Sequence, residues 1–201
     1  MSSHPSIRSA TNGHRKRVLG VDPSVVGATG YGIIECAGSR PKLLGFGALK
    51  LPARATFAAR LREIHQLIAE LVEEYVPDAV AVESVFAALN MKTALRLAEM
   101  RGVVLLAAAQ AQIPAHSYSP REVKASVAGF GGASKQQIQQ MVTSLLGLSN
   151  YPEPVDASDA LAVALCHAHV SRARDRMAAA TVARSVSAIA GIRARAARLP
   201  H

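Results

Sequence analysis

The sequence predicts an α/β fold. It is built on one mixed five-stranded sheet, a three-strand antiparallel meander continued by β/α units, with helices on both faces. Three observations predict it. Three short apolar stretches near the N-terminus are separated only by turns rich in Gly and Pro. From about Thr56 the apolar period becomes helical. Beyond that point short apolar runs alternate with helical ones, the pattern of strands covered by helices.

The elements follow in order. Arg17 to Asp22 is an apolar run that stops at a carboxylate and Pro23. Gly27, Gly30 and Gly32 mark the turn into a second strand, Tyr31 to Cys36. Gly38-Ser39-Arg40-Pro41 turns the chain into a third, Leu43 to Leu51. Phe57, Leu61, Ile64, Ile68, Leu71, Val72 and Tyr75 form one face of a helix that ends before Pro77. Asp78 to Glu83 is a second short apolar run ending in a carboxylate. Asn90 can cap a helix reaching Gln110, and Ile113 to Tyr118 reads as the fifth strand. Ser119-Pro120-Arg121-Glu122 and Ser134-Lys135-Gln136-Gln137 are capping boxes, each opening a helix. Asp156 or its neighbour starts the last helix, expected to run to about Val170.

Composition bounds the function classes. The chain has 201 residues, half of them hydrophobic, so it can bury a core. No apolar run has the length of a membrane span, and the N-terminus lacks the apolar segment of a secretory signal. Cys36 and Cys166 make no disulfide framework, which fits a reducing compartment and a cytoplasmic protein. The net charge is +9, but it is unevenly spread. Residues 1–17 carry +4, residues 171–201 carry +6, and residues 18–170 carry −1. A near-neutral body with basic appendages is a weak argument for a polyanion partner, because basic tails are often merely solvated.

Four carboxylates are better placed. Asp22 and Glu83 each end an apolar strand, and Asp156 and Asp159 share one face at a helix start. Sites in α/β proteins gather where strand ends meet helix starts. If the first and fourth strands are neighbours, Asp22 and Glu83 stand side by side. Such acids repel one another and call for cations; hard oxygen ligands without Cys or paired His favour Mg²⁺ or Mn²⁺. Taken singly, each acid also has a plainer reading as a strand-end loop residue or a helix cap.

These residues also carry a resemblance. Val18-Leu19-Gly20-Val21-Asp22-Pro23 with Thr29-Gly30-Tyr31-Gly32 resembles the opening of the RuvC crossover-junction endodeoxyribonucleases. So do Val82-Glu83-Ser84-Val85-Phe86 with Asn90 and Arg101-Gly102-Val103, Pro120 to Lys124, Gly131 to Lys135, and Asp156 to Ala162 with Cys166-His167. The motifs occur in order between about residues 17 and 170. The resemblance implies a ribonuclease H-like fold and a homodimer that resolves four-way DNA junctions by two symmetric nicks, in recombination and repair. It implies Asp22, Glu83, Asp156 and Asp159 as catalytic Mg²⁺ ligands, two ions per site with Mn²⁺ as a substitute. Water would attack the phosphorus, leaving 5′-phosphate and 3′-hydroxyl ends. Phe86 would stack on junction bases, and Lys124, Lys135 and Arg121 would meet DNA. The RuvAB branch-migration complex is the implied partner.

The sequence departs from the family at Ser24, where Gly is usual, and in a longer loop from Ser24 to Thr29. His167 is more simply a satisfied helical histidine than a site residue. The domain organisation expected is a disordered basic extension at 1–16, the nuclease domain at 17–170, and a flexible Ala/Arg-rich tail at 171–201. Two other readings compete: an actin-like or sugar-kinase-type ATPase, which normally needs a second domain, and a catalytically silent junction-binding module.

Overall fold

The structure is a computed structural model that describes residues 15–38, 40–85 and 90–196, with side chains described as far as residue 182. It contains β1 (Lys16–Asp22), β2 (Thr29–Cys36), β3 (Pro41–Leu49), α1 (Phe57–Tyr75), β4 (Ala79–Glu83), α2 (Met91–Gln110), β5 (Ala115–Tyr118), α3 (Pro120–Ala128), α4 (Lys135–Leu146) and α5 (Val155–Ala196). The sheet order is β3-β2-β1-β4-β5. β1, β2 and β3 pair antiparallel, while β1–β4 and β4–β5 pair parallel. The meander and the β/α units thus share one sheet, as the sequence predicts.

Strand alternation divides the core in two. Leu19, Val21, Ile33, Val80 and Val82 face α1 and α2, where Ile64, Ile68, Met100 and Val104 meet them. Val18, Ile34 and Ala81 face the other way, against α3, α4 and α5. The helix starts are set locally. Thr56 and Asn90 accept from Ala59 and Thr93 N–H, and both capping boxes form in full. These satisfy N–H groups that a helix cannot pair internally.

The last helix corrects the expected boundary. It does not end near Val170 but runs to Ala196, 42 residues in all. From Ala157 to Cys166 it is buried except at Asp159; from Ala173 to Val182 it is exposed. The outer part therefore has no core to pack on, and Ala and Arg, both strong helix formers, sustain it. The expected extension at 1–16 lies outside the described residues up to residue 14; Lys16 already belongs to β1.

Candidate active site

Asp22 and Glu83 come together because of pleat and register. Gly20 and Ala81 point toward α5, so two residues later Asp22 and Glu83 point the same way. Val21 pairs with Val82 in the parallel β1–β4 ladder, which makes the next residues neighbours across it. Helix α5 lies unusually close to this surface. A Cβ on Gly20 would stand 2.8 Å from the Ala164 nitrogen, and one on Gly30 would stand 2.5 Å from the Asp156 carbonyl carbon. Only glycine leaves room, and the close approach lowers the start of α5, with Asp156 and Asp159, onto the strand ends.

Helices α3 and α4 close the site. Asp22, Glu83, Asp159, Lys124 and Lys135 line one pocket of about 220 Å³, with Pro120, Val123, Ile138 and Ala162 as its apolar wall. Lys135, at the first position of α4, places its ammonium 2.7 Å from the Asp159 carboxylate. The sequence reading omitted the apolar wall. Its signal was available, since Pro120 and Ile138 fall in the opening turns of the two capped helices.

The electrostatics are those of crowded acids. Burial is the main cause lifting the Asp22 carboxyl well above its ordinary value; Glu83 and Asp159 add to it, Lys135 opposes, and Asp156 adds least. Glu83 is raised by burial and by Asp159, against its hydrogen bond with Asp22 and the charges of Lys124 and Lys135. Two carboxyls in such contact hold a proton more tightly than either would alone, and a cation would relieve the same repulsion. The Asp159 hydrogen bond raises Lys135 above the usual lysine value, so its ammonium stays charged.

The all-oxygen donor set and its uncompensated charge fit a hard divalent cation. Among the described residues, no three His, Cys, Asp or Glu side chains already close on a single centre. Asp159 is turned onto Lys135, and an Asp156 carboxylate oxygen lies toward the Gly27 loop. An ion would therefore draw Asp159 from its lysine.

Asp156 thus stands beside the pocket, close enough to influence Asp22 and Lys135, without lining it. Arg121 is exposed, its stem against Gly131, and is not part of the pocket wall. Phe86 lies outside the described residues. Ser24 accepts the Gly27 N–H at 3.0 Å and so caps its own loop. His167 is not a site residue: its Nδ1 is 2.8 Å from the Tyr118 hydroxyl and its ring lies against His116.

Fold and site together define an α/β protein of ribonuclease H-like architecture with an acidic site at the ends of its parallel strands. The profile of crossover junction endodeoxyribonuclease RuvC matches residues 18–167. The RuvC of Syntrophomonas wolfei is 46% identical over 156 residues, covering 78% of this chain and 90% of that one. That of Dehalococcoides mccartyi is 50% identical over 157 residues, covering 78% and 93%. Thermus thermophilus RuvC matches with a TM-score of 0.71 at 34% identity, covering 78% of this chain and 95% of that one. Its complex with a Holliday junction substrate matches at 0.70 and 32%, with the same coverage. The yeast mitochondrial Holliday junction resolvase Ydc2, at 15% identity and a TM-score of 0.55, shares the fold. The chain belongs to the RuvC family of crossover junction endodeoxyribonucleases.

Proposed function

We propose that this chain resolves four-way (Holliday) DNA junctions. As a homodimer it nicks two opposed strands symmetrically and leaves 5′-phosphate and 3′-hydroxyl ends. The supporting observation is the convergence of Asp22, Glu83 and Asp159 with Lys124 and Lys135 in one pocket of a RuvC-family chain. Asp22, Glu83, Asp156 and Asp159 would hold Mg²⁺, with Mn²⁺ as a substitute. Bound there, such ions polarise phosphoryl oxygens and lower the pKa of water.

The remaining work belongs to the chain. Asp22 and Glu83, whose pKa values are raised, must both be deprotonated to act as ligands, which couples activity to pH. Lys135, freed from Asp159, and Lys124 offer positive charge to the phosphodiester as its own negative charge builds. The apolar wall of Val123 and Ile138 limits water around the reacting group and strengthens those interactions. Phe86 stacks on an unpaired junction base, and Arg121 meets a flanking phosphate. Resolution takes place in the cytoplasm in concert with the RuvAB branch-migration complex.

The homodimer reading is supported by α2. Met91, Leu95, Ala98, Gly102 and Leu106 are all exposed and fall on one stripe at spacings of three and four. Nothing lies within 4 Å of where a Cβ would stand on Gly102. A self-complementary stripe with a small residue at its middle suits a two-fold contact with the same helix of a second copy.

The deciding experiment offers a synthetic four-way junction with Mg²⁺. Paired symmetric nicks are expected, abolished by Asp22→Asn or Glu83→Gln while junction binding persists. Undiminished nicking by purified Asp22→Asn would overturn the site assignment. Equal cutting of linear duplex would overturn the junction selectivity.

A further inference from the structure

An exposed aromatic ring stands on the rim of the carboxylate pocket. Helices α3 and α4 both begin at that pocket, through Pro120 and Lys124 on one and Lys135 and Ile138 on the other. The loop that joins them, residues 129–134, carries Phe130. At 50% exposure it is the most exposed phenylalanine among the described residues. A slack chain is not the cause, because the loop is fixed at both ends. Gly129 closes α3 in the left-handed conformation, with its N–H on the Ala125 carbonyl. Ala133 is buried, and Ser134 caps α4 through the Gln137 N–H.

Arg121 lies against the same loop. A Cβ on Gly131 would stand 2.6 Å from the Arg121 Cγ, so glycine is what lets the arginine stem pass over the loop next to Phe130. Arg121 is exposed, and among the described residues its guanidinium has no hydrogen-bond or ion-pair partner. The adjacent carboxylate, Glu122, is already taken up by the Ser119 N–H and hydroxyl. Arg121 and Lys124 are three residues apart on α3, about 5–6 Å between Cβ atoms. Lys124 lines the pocket, so Arg121 and Phe130 continue the same surface outward from it.

We propose that Phe130 is a substrate-contact residue. Its ring packs on a deoxyribose of the cleaved strand, beside the phosphodiester in the pocket, while Arg121 holds the phosphate beyond. The proposal rests on the nuclease reading of the pocket. Continuity and charge select DNA as the occupant. A phosphodiester held between the carboxylates and Lys124 carries a sugar on each side, and toward α3 the next surface is Arg121 with Phe130. A cation beside an apolar ring matches the alternation of phosphate and sugar along a strand. In a paired arm the bases are turned into the stack, so sugars are the apolar groups that a ring on the backbone side can reach. The contact reads no base and adds affinity without sequence preference.

The test compares the full chain with Phe130→Ala, Phe130→Tyr and Arg121→Ala. Binding of a synthetic four-way junction is followed by fluorescence anisotropy across a salt series without divalent ions, and nicking is followed with Mg²⁺. Phe130→Ala is expected to weaken binding about five- to tenfold at every salt concentration, the effect of returning roughly half a ring to water. Its slope of log affinity against log salt is expected to match that of the unmodified chain, because no phosphate contact is lost, whereas Arg121→Ala should shallow the slope by about 1. Phe130→Tyr keeps the ring and should restore the affinity. In nicking, the loss is expected in the half-saturating junction concentration rather than in the rate at saturation. Unaltered affinity of Phe130→Ala beside normal nicking by the unmodified chain would overturn this proposal alone. A lowered Tm, or a loss confined to the rate at saturation, would make Phe130 a support of the loop and overturn it too. A loss that vanishes when the nucleotides flanking the cut are abasic would move the ring from sugar to base. An unmodified chain that neither binds nor nicks the junction would overturn the nuclease reading and the proposal together.

Discussion

Gly30→Ala tests how the site is assembled, because the added methyl touches no pocket residue except through α5. The new Cβ would overlap the Asp156 carbonyl oxygen and stand 2.5 Å from the carbonyl carbon, where ordinary contact begins at 3.4 Å. The helix start must therefore withdraw by roughly 1 Å to restore normal carbon–carbon separation. β2 cannot yield instead, since Gly30 is paired on both sides, with Asp22 and with Ala48. Withdrawal carries Asp156 and Asp159 away from Asp22 and Glu83. A misplacement of that size costs about 100-fold in rate. Overpacking of this kind costs about 1–3 kcal/mol of stability, so the variant is expected to fold with a lowered Tm. The assay is single-turnover nicking of a four-way junction, with junction binding and thermal melting measured on the same sample. A variant that nicks within threefold of the unmodified chain and melts at the same temperature would refute the account of how α5 is placed.

Three further outcomes follow from the same geometry. The folded-state pKa of Asp22 is raised, so the stability it contributes is full at low pH and is lost as pH rises through the raised value. Asp22→Asn should therefore raise Tm at neutral pH without divalent ions while removing activity; a lowered Tm would contradict the repulsive cluster. His167 runs the other way: its pKa falls from 6.5 to about 4, so its contribution is full above 6.5 and is lost as pH drops toward 4. That loss is at most about 3.4 kcal/mol, and urea midpoints of His167→Gln should lack the corresponding acid slope; parallel slopes would refute the burial argument. Finally, Leu95→Glu/Leu106→Glu should sediment as a 21.1 kDa monomer, and an unchanged dimer would remove α2 from the two-fold contact.

Much of the architecture was legible because its causes are local. An apolar run that ends at Asp22-Pro23 or Glu83 fixes where a strand stops. Ser119 with Glu122, and Ser134 with Gln137, fix where α3 and α4 begin, since a capping box closes within four residues. The end of α5 was not legible. Beyond Val170 there is no apolar face to read, and the helix persists on the intrinsic preference of Ala and Arg. Which residue satisfies His167 was not legible for a different reason. Its partner Tyr118 is 49 residues away, and no spacing rule connects them.

By itself, then, the sequence determined the order of elements, their starts, and the four acids at strand and helix ends. Tertiary structure decided which of them share a pocket. Parallel β1–β4 pairing set Asp22 beside Glu83, and bare glycines let α5 bring Asp159 down to them. It also decided that Lys16, at the start of β1, meets Ser171 and Asp175 of α5. Hydrogen-bond caps and apolar periods are short-range and are written residue by residue. Adjacency across a sheet and the closeness of a helix to it depend on pairing and packing between segments far apart in the chain.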